Sequence, residues 1–147
     1  WASSLQLPFA DGRFELVLDR HEELSPDEVA RVLAPGGRIL TQQVGTSNWR
    51  ELREFFPRMQ DFGPHFELYQ EGLHSRGFTV IRAESHEGPE AYRNLGEVVY
   101  MLCATPWTIP EFDVERDLDA LLALEASAAT EDGIVLTGIR YIIEAQK

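Results

Sequence analysis

Four polar residues, Asp19-Arg20-His21-Glu22, follow directly on the apolar run 14–18 (FELVL). A carboxylate, a guanidinium and an imidazole in succession can orient a polar ligand or move a proton. His21 is the titratable choice near neutral pH. With a reference pKa of about 6.5, its imidazole can accept a proton from a substrate hydroxyl or amine. His21 is therefore the candidate catalytic base or substrate contact. The plainer alternative is that Arg20 pairs with a neighbouring carboxylate and His21 merely lines a cleft. Other chemistries lack their residues. His21, His65, His74 and His86 form no HExxH or His-x-His, and there is no cysteine pair, so no metal site is expected. No G-x-S-x-G elbow, P-loop or dinucleotide G-x-G-x-x-G occurs.

The elements around this tetrad can be read from the same stretch, residues 7–45. Asp11-Gly12 is a turn pair leading into the strand 14–18. Ser25-Pro26-Asp27-Glu28 reads as a capping box, with proline at the position a first helical turn accepts best. Val29, Val32 and Leu33 share one face of the helix that follows. Pro35-Gly36-Gly37 ends that helix, and 38–44 forms the next strand. Strand, helix, strand in so few residues is a βαβ unit, so the two strands should be parallel. In open α/β sheets ligands bind at the carboxyl ends of strands. Asp19 to Glu22 stands at one such end, and Gln42 and Gln43 at the next.

Further along, Asn48 is placed to cap a helix carrying Trp49, Leu52, Phe55, Phe56 and Met59, which Pro57 kinks or ends. A helix over 66–76 with Gly77 at its C-cap leads into an alternating strand over 78–83. Between this strand and the last lies an insertion, about 84–132. It holds helices near 91–104 and 114–129, the second with Leu118, Leu121, Leu122 and Leu124 as apolar positions. Pro106-Trp107-Thr108-Ile109-Pro110 joins them as a rigid corner. The closing strand region 133–145 carries a break at Gly138.

Composition sets the outer limits. At 147 residues, 44% hydrophobic and 26% charged, the chain is one domain's worth of soluble α/β protein. A net charge of −12 argues against a phosphate backbone as ligand, since Lys147 is the one lysine and the arginines are scattered. A small-molecule substrate is expected, with no nucleic acid and no membrane partner. Cys103 is the single cysteine, which fits a reducing cytoplasm. No apolar run approaches the length of a membrane span. The sequence begins at Trp1 without methionine, and the expectation is a piece of a longer gene product.

LPFADGRFELVLDRHE followed by ARVLAPGGRILTQQVG resembles the central segment of class I S-adenosylmethionine-dependent methyltransferases. Several separated motifs occur in order. The likeness extends more loosely through Gly77-Phe78, Pro106-Trp107 and the closing Arg140-Tyr141. It implies the C-terminal part of a Rossmann-like fold, with the family's strands 4-5-7-6 in space, the last one antiparallel. The glycine-rich first motif of the family is absent. By the same alignment Ser3 stands where an acidic residue commonly meets the adenine. Ser3, Ser4, Asp19 and Arg20 are thus the implied cofactor contacts. The insertion implies a substrate pocket, with Tyr100 and Trp107 as residues that could pack on a substrate. Methyl transfer from S-adenosylmethionine to a small acceptor is the implied activity of the complete protein, this chain alone being inactive. Without its central neighbour, the strand 14–18 becomes an apolar edge that seeks a partner, and a homodimer through it is expected. The rival expectation is a non-catalytic interaction module on the same fold. Another doubly wound nucleotide-binding enzyme is the third.

Overall fold

The computed structural model describes residues 3–147. In chain order the elements are β1 (Phe14–Arg20), α1 (Pro26–Val32), β2 (Leu33–Val44), α2 (Leu52–Phe55), α3 (His65–His74) and β3 (Thr79–Tyr92). After these come α4 (Leu95–Ala104), α5 (Leu118–Ala128), β4 (Ala129–Thr130) and β5 (Gly133–Gln146). The strands form one sheet in the order β1-β2-β5-β3, with β4 paired to β5. β1 and β2 are parallel, as the βαβ reading requires, and β5 runs antiparallel to β2. In the family's terms this is the expected order 4-5-7-6. The chain divides into two compact units.

The first unit comprises Trp1–Thr46, Gly63–His86 and Arg140–Lys147. Its helix α1 begins where the sequence places it. The Ser25 hydroxyl accepts the Glu28 N–H at 3.3 Å, and Pro26 fills the first helical position. The other half of the capping box is not made. The Glu28 carboxylate accepts instead from the Leu7 N–H at 2.6 Å and from Arg31 at 2.8 Å. Arg31 in turn donates to the carbonyls of Leu7 and Phe9 and to the Asp11 carboxylate. One arginine of the ARVL segment therefore clamps the whole LPFAD loop onto α1. The two motifs that carry the family likeness are the two sides of this clamp.

α1 stops at Val32, short of the Pro35-Gly36-Gly37 expected to end it, and strand pairing resumes at Leu33, so these three residues lie within β2. The register slips between Phe14 and Leu16, where Gly37 passes close to β1. A Cβ on Gly37 would sit 2.9 Å from the Ala34 carbonyl oxygen and 3.2 Å from that of Glu15, so only glycine fits. Lys147 Nζ donates to the carbonyls of Ala30 and Leu33, two acceptors that a helix end leaves without intrahelical partners.

Strand alternation sorts the side chains of this unit. Ile39, Ile143 and Ala145 are fully buried and pack with Leu24, Val29, Leu33, Leu73, Phe78 and Tyr141. Leu16 and Leu18 point the other way, and are 53% and 68% exposed on the edge strand β1. Among the described residues β1 pairs with β2 on one side only, so the expected apolar edge is present.

The second unit comprises Ser47–Phe62 and Glu87–Ile139. It takes in the expected insertion and also the segment after β2. Its core gathers Trp49, Leu52, Phe56, Val98, Leu102, Ile109, Leu121, Leu124, Ile134 and Leu136. The helix expected from Asn48 shrinks to the four residues of α2. Ser47 and Trp49 adopt left-handed φ of 65° and 53°, which no helix continues. Trp49 is held there by its indole N–H to Glu90 and its backbone N–H to the Thr137 carbonyl. Asn48 caps nothing; its side-chain oxygen accepts the Ile139 N–H.

The strand expected over 78–83 extends to Tyr92, and β5 runs unbroken through Gly138. Gly138 is a point of close approach rather than a break. A Cβ there would meet the Glu90 side chain at 2.6 Å. The helices α4 and α5 lie where expected but start later, at the Asn94 cap and after Asp117. On α5 only Leu121 and Leu124 are buried, while Leu118 and Leu122 face solvent.

Candidate functional site

Asp19, Arg20 and His21 close β1 in the first unit and enter the loop that leads to α1. Alternation turns the Asp19 side chain to the covered face of the sheet, where it meets Thr41 and Gln43 of β2. Asp19 Oδ2 accepts from Thr41 Oγ1 at 2.7 Å and from Gln43 Nε2 at 2.6 Å. Gln43 Nε2 also donates to the Glu22 carbonyl at 2.8 Å. Thr41 and Gln43 are both buried and Asp19 is half-buried.

Burial raises the Asp19 carboxyl above its ordinary value, with Glu22 adding to the rise. The two hydrogen bonds and the imidazole of His21 pull the other way. Tyr141 and Tyr69 lie in the same electrostatic neighbourhood. Both phenols are raised, chiefly by burial, and Asp19 contributes to each.

His21 adopts a left-handed φ of 57°, uncommon for a residue with a Cβ. Its backbone N–H donates to the Gln42 carbonyl at 3.0 Å, and its side chain is exposed, as is that of Arg20. Past the loop, the Leu24 N–H donates to Tyr69 Oη at 3.3 Å, and Leu24 is buried. His65 stacks on Tyr69 at 5.2 Å between centroids, and Phe66 packs on Tyr141 at 5.1 Å.

The remaining expected residues stand apart from this cluster or in the second unit. The Ser3 hydroxyl accepts the Leu5 N–H within its own turn, and Ser4 beside it is half-buried. Trp1, with which the sequence opens, lies outside the described residues. Tyr100 on α4 and Trp107 after it belong to the second unit, 71% and 59% exposed. They are surface residues of that unit rather than members of its core. No group of three or more metal-ligating side chains converges among the described residues.

The sequence does not single out Thr41, Tyr69 and Tyr141 as site residues, and it places Gln42 and Gln43 at the second strand's end near the same crevice, where one of them could reach a ligand. The signal was available in the alternation of β2. Ile39, Thr41 and Gln43 share a face, so two inward polar residues oppose an inward aspartate in the parallel neighbour.

Tested against S-adenosylmethionine, these residues make one wall of a site and not a cradle. The Asp19 oxygen is engaged by Thr41 and Gln43, the Ser3 hydroxyl by its own turn, and the glycine-rich turn that would receive the cofactor is absent from the sequence.

No protein-family model matches the chain, and no curated protein matches it. Solved structures do. A candidate methyltransferase of Bacillus halodurans aligns with 99% of this chain and 75% of its own length, with a TM-score of 0.60 and 18% identity. The YcgJ protein of Bacillus subtilis aligns with 99% and 69%, with a TM-score of 0.59 and 18% identity. A phosphoethanolamine N-methyltransferase of Haemonchus contortus, solved with S-adenosylhomocysteine, aligns with 99% and 36%, with a TM-score of 0.50 and 17% identity. Identities this low speak to the fold. With its strand order and its parallel βαβ start, the chain carries the Rossmann-like fold of the class I methyltransferases.

Proposed function

We propose that this chain forms part of an S-adenosylmethionine-dependent methyltransferase acting on a small-molecule acceptor in the cytoplasm. The observation that carries the reading is the juxtaposition at the end of β1. A half-buried Asp19, an exposed Arg20 and a left-handed His21 stand at the carboxyl end of a parallel strand, where open α/β sheets bind ligands. Methyl transfer needs its nucleophile held in line, and much of the rate can come from that placement alone. In this reading Arg20 orients the acceptor or the cofactor, and His21 takes the proton an acceptor hydroxyl or amine gives up. Ser3, Ser4 and Asp19 line the cofactor side, Asp19 by its position rather than through an unengaged carboxylate. The chain supplies one wall of the site, so it is inactive by itself.

A second reading, a non-catalytic interaction module on the same fold, is favoured by one observation. Leu16 and Leu18 stand exposed on one face of β1, which among the described residues has no neighbour beyond β2. We further propose that this edge pairs with a second copy of the chain.

The deciding experiment is calorimetric titration of S-adenosylhomocysteine into this chain and into the product of the complete gene. Binding to the longer product alone is the expected result. Binding to neither would overturn the enzyme in favour of the interaction module. Binding to this chain alone would mean that it builds a cofactor site from other residues.

A further inference from the structure

Gln43 is buried on β2, yet its amide reaches two points of the segment that carries the candidate site. A primary amide has two hydrogens. Three oxygens lie within reach of its nitrogen, the Asp19 carboxylate at 2.6 Å, the Glu22 carbonyl at 2.8 Å and Thr41 Oγ1 at 2.9 Å, and the two shortest contacts are those to Asp19 and Glu22. Between these two points lie Arg20 and His21. We infer that Gln43 is the positioning residue of the site: one buried amide grips both ends of the Asp19–Glu22 segment and so fixes where Arg20 and His21 stand. The inference rests on the reading that this segment meets the ligand.

Three features make the grip more than the satisfaction of buried groups. The left-handed backbone of His21 is an unfavourable state that persists only where its surroundings over-determine it. It lies between the two gripped residues. Thr41 donates its own hydroxyl proton to the same Asp19 oxygen, so Asp19 stays satisfied if Gln43 is lost, whereas Gln43 is the side chain that holds the Glu22 carbonyl. On the far side the segment is anchored again, by Leu24 in the core and its N–H on Tyr69. Residues 20–23 are thus a short bridge between fixed piers, with Gln43 under both ends of its active part.

The test is NMR on the chain itself, reading amide hydrogen exchange and the imidazole titration of His21. Asp19 is the titratable group coupled to that imidazole; Asp19 is in turn coupled to Glu22 in the loop, Tyr69 on α3 and Tyr141 on β5, while Glu23 acts on Tyr69 and Glu67 on Tyr141. Gln43→Met keeps volume and removes its bonds to Asp19 and Glu22, Thr41→Val removes one bond to Asp19 and the oxygen beside Gln43 Nε2 but leaves the two bonds of the grip, and Asp19→Asn shows the carboxylate's effect on His21. In Gln43→Met the His21 amide, bonded to the Gln42 carbonyl, is expected to exchange about tenfold faster, with Ile39 and Ile143 unchanged. The His21 midpoint should fall in Gln43→Met, in the same direction as in Asp19→Asn, because the imidazole and the Asp19 carboxylate are coupled. Thr41→Val should leave both readouts near wild type. An unmoved His21 in Gln43→Met, or an equal effect of Thr41→Val, would overturn the inference. If Gln43→Met does not fold, Gln43→Asn answers the same question. One carbon shorter, its amide cannot reach the Asp19 and Glu22 oxygens together, so the same loosening is expected and its absence counts against the grip. None of these readouts uses cofactor or acceptor. A failed cofactor titration therefore removes the methyltransferase reading and leaves this one standing, and the reverse also holds.

Discussion

Asp19 and Glu28 are both carboxylates with named partners, and they should answer acid in opposite ways. Burial outweighs the hydrogen bonds at Asp19, so its folded-state pKa lies above the ordinary 3.8. The folded protein then holds that proton more tightly than the unfolded chain does. Ionising Asp19 therefore removes stability as pH rises from about 3.8 through the raised folded value. Glu28, held by Arg31 and the Leu7 N–H, is lowered from 4.5 to about 2. Its contribution is complete above 4.5 and is lost as pH falls towards about 2. Urea unfolding across this range should show Asp19→Asn gaining on wild type as pH rises through the Asp19 window. Glu28→Gln should lose ground at lower pH, as pH rises from about 2 to 4.5. A difference between Asp19→Asn and wild type that stays flat with pH would mean that burial does not govern this carboxyl. None of this was readable from residue identity. Asp19 looked like a ligand contact because it ends a strand, and only the inward polar pair Thr41 and Gln43 reveals why it faces the protein.

At the scale of elements, β1 and β2 owe their stability to one face. Ile39 is fully buried among Leu24, Val29, Phe78 and Tyr141, so Ile39→Ala should cost about 2–5 kcal/mol in denaturant unfolding. Leu16, exposed on the opposite face of β1, should cost less than about 1 kcal/mol as Leu16→Ala. Comparable losses at both would show that the second face is covered in solution. The elements legible in advance were those whose signals are local. Ser25 and Pro26 mark the start of α1, and the apolar run of β1 its strand. The ones missed depend on distant partners. Trp49 leaves a helical run because Glu90 and Thr137 hold it, and Gly138 stays in a strand because Glu90 crosses over it. No window of local sequence contains those pairs.

At the scale of the whole molecule, the open edge sets the expected association. β1 carries Leu16 and Leu18 out to solvent with no neighbour on its outer side among the described residues. Sedimentation equilibrium is expected to show self-association that strengthens with salt, because a chain of net charge −12 repels its own copy until screened. Leu18→Arg should return it to monomer by placing charge on the pairing strand. A monomer at high concentration in wild type would remove the dimer. The strand order was legible from the likeness of LPFADG and ARVLAPGG to a known family, because those motifs are the Arg31 clamp and therefore structural. The chemistry was less legible for the same reason: a clamp persists whether or not a site remains beside it.

Lys147 ends α1 by giving its ammonium to the Ala30 and Leu33 carbonyls, and within these 147 residues it is the one lysine. Any reagent that seeks side-chain amines, whether an activated ester on a sensor chip or an acetylating enzyme, has that single target. Coupling there would strip the cap from the helix that Arg31 clamps to the LPFAD loop. Cys103, exposed on α4 in the second unit, offers a thiol instead. Tethering through sulfur leaves the Lys147 cap untouched.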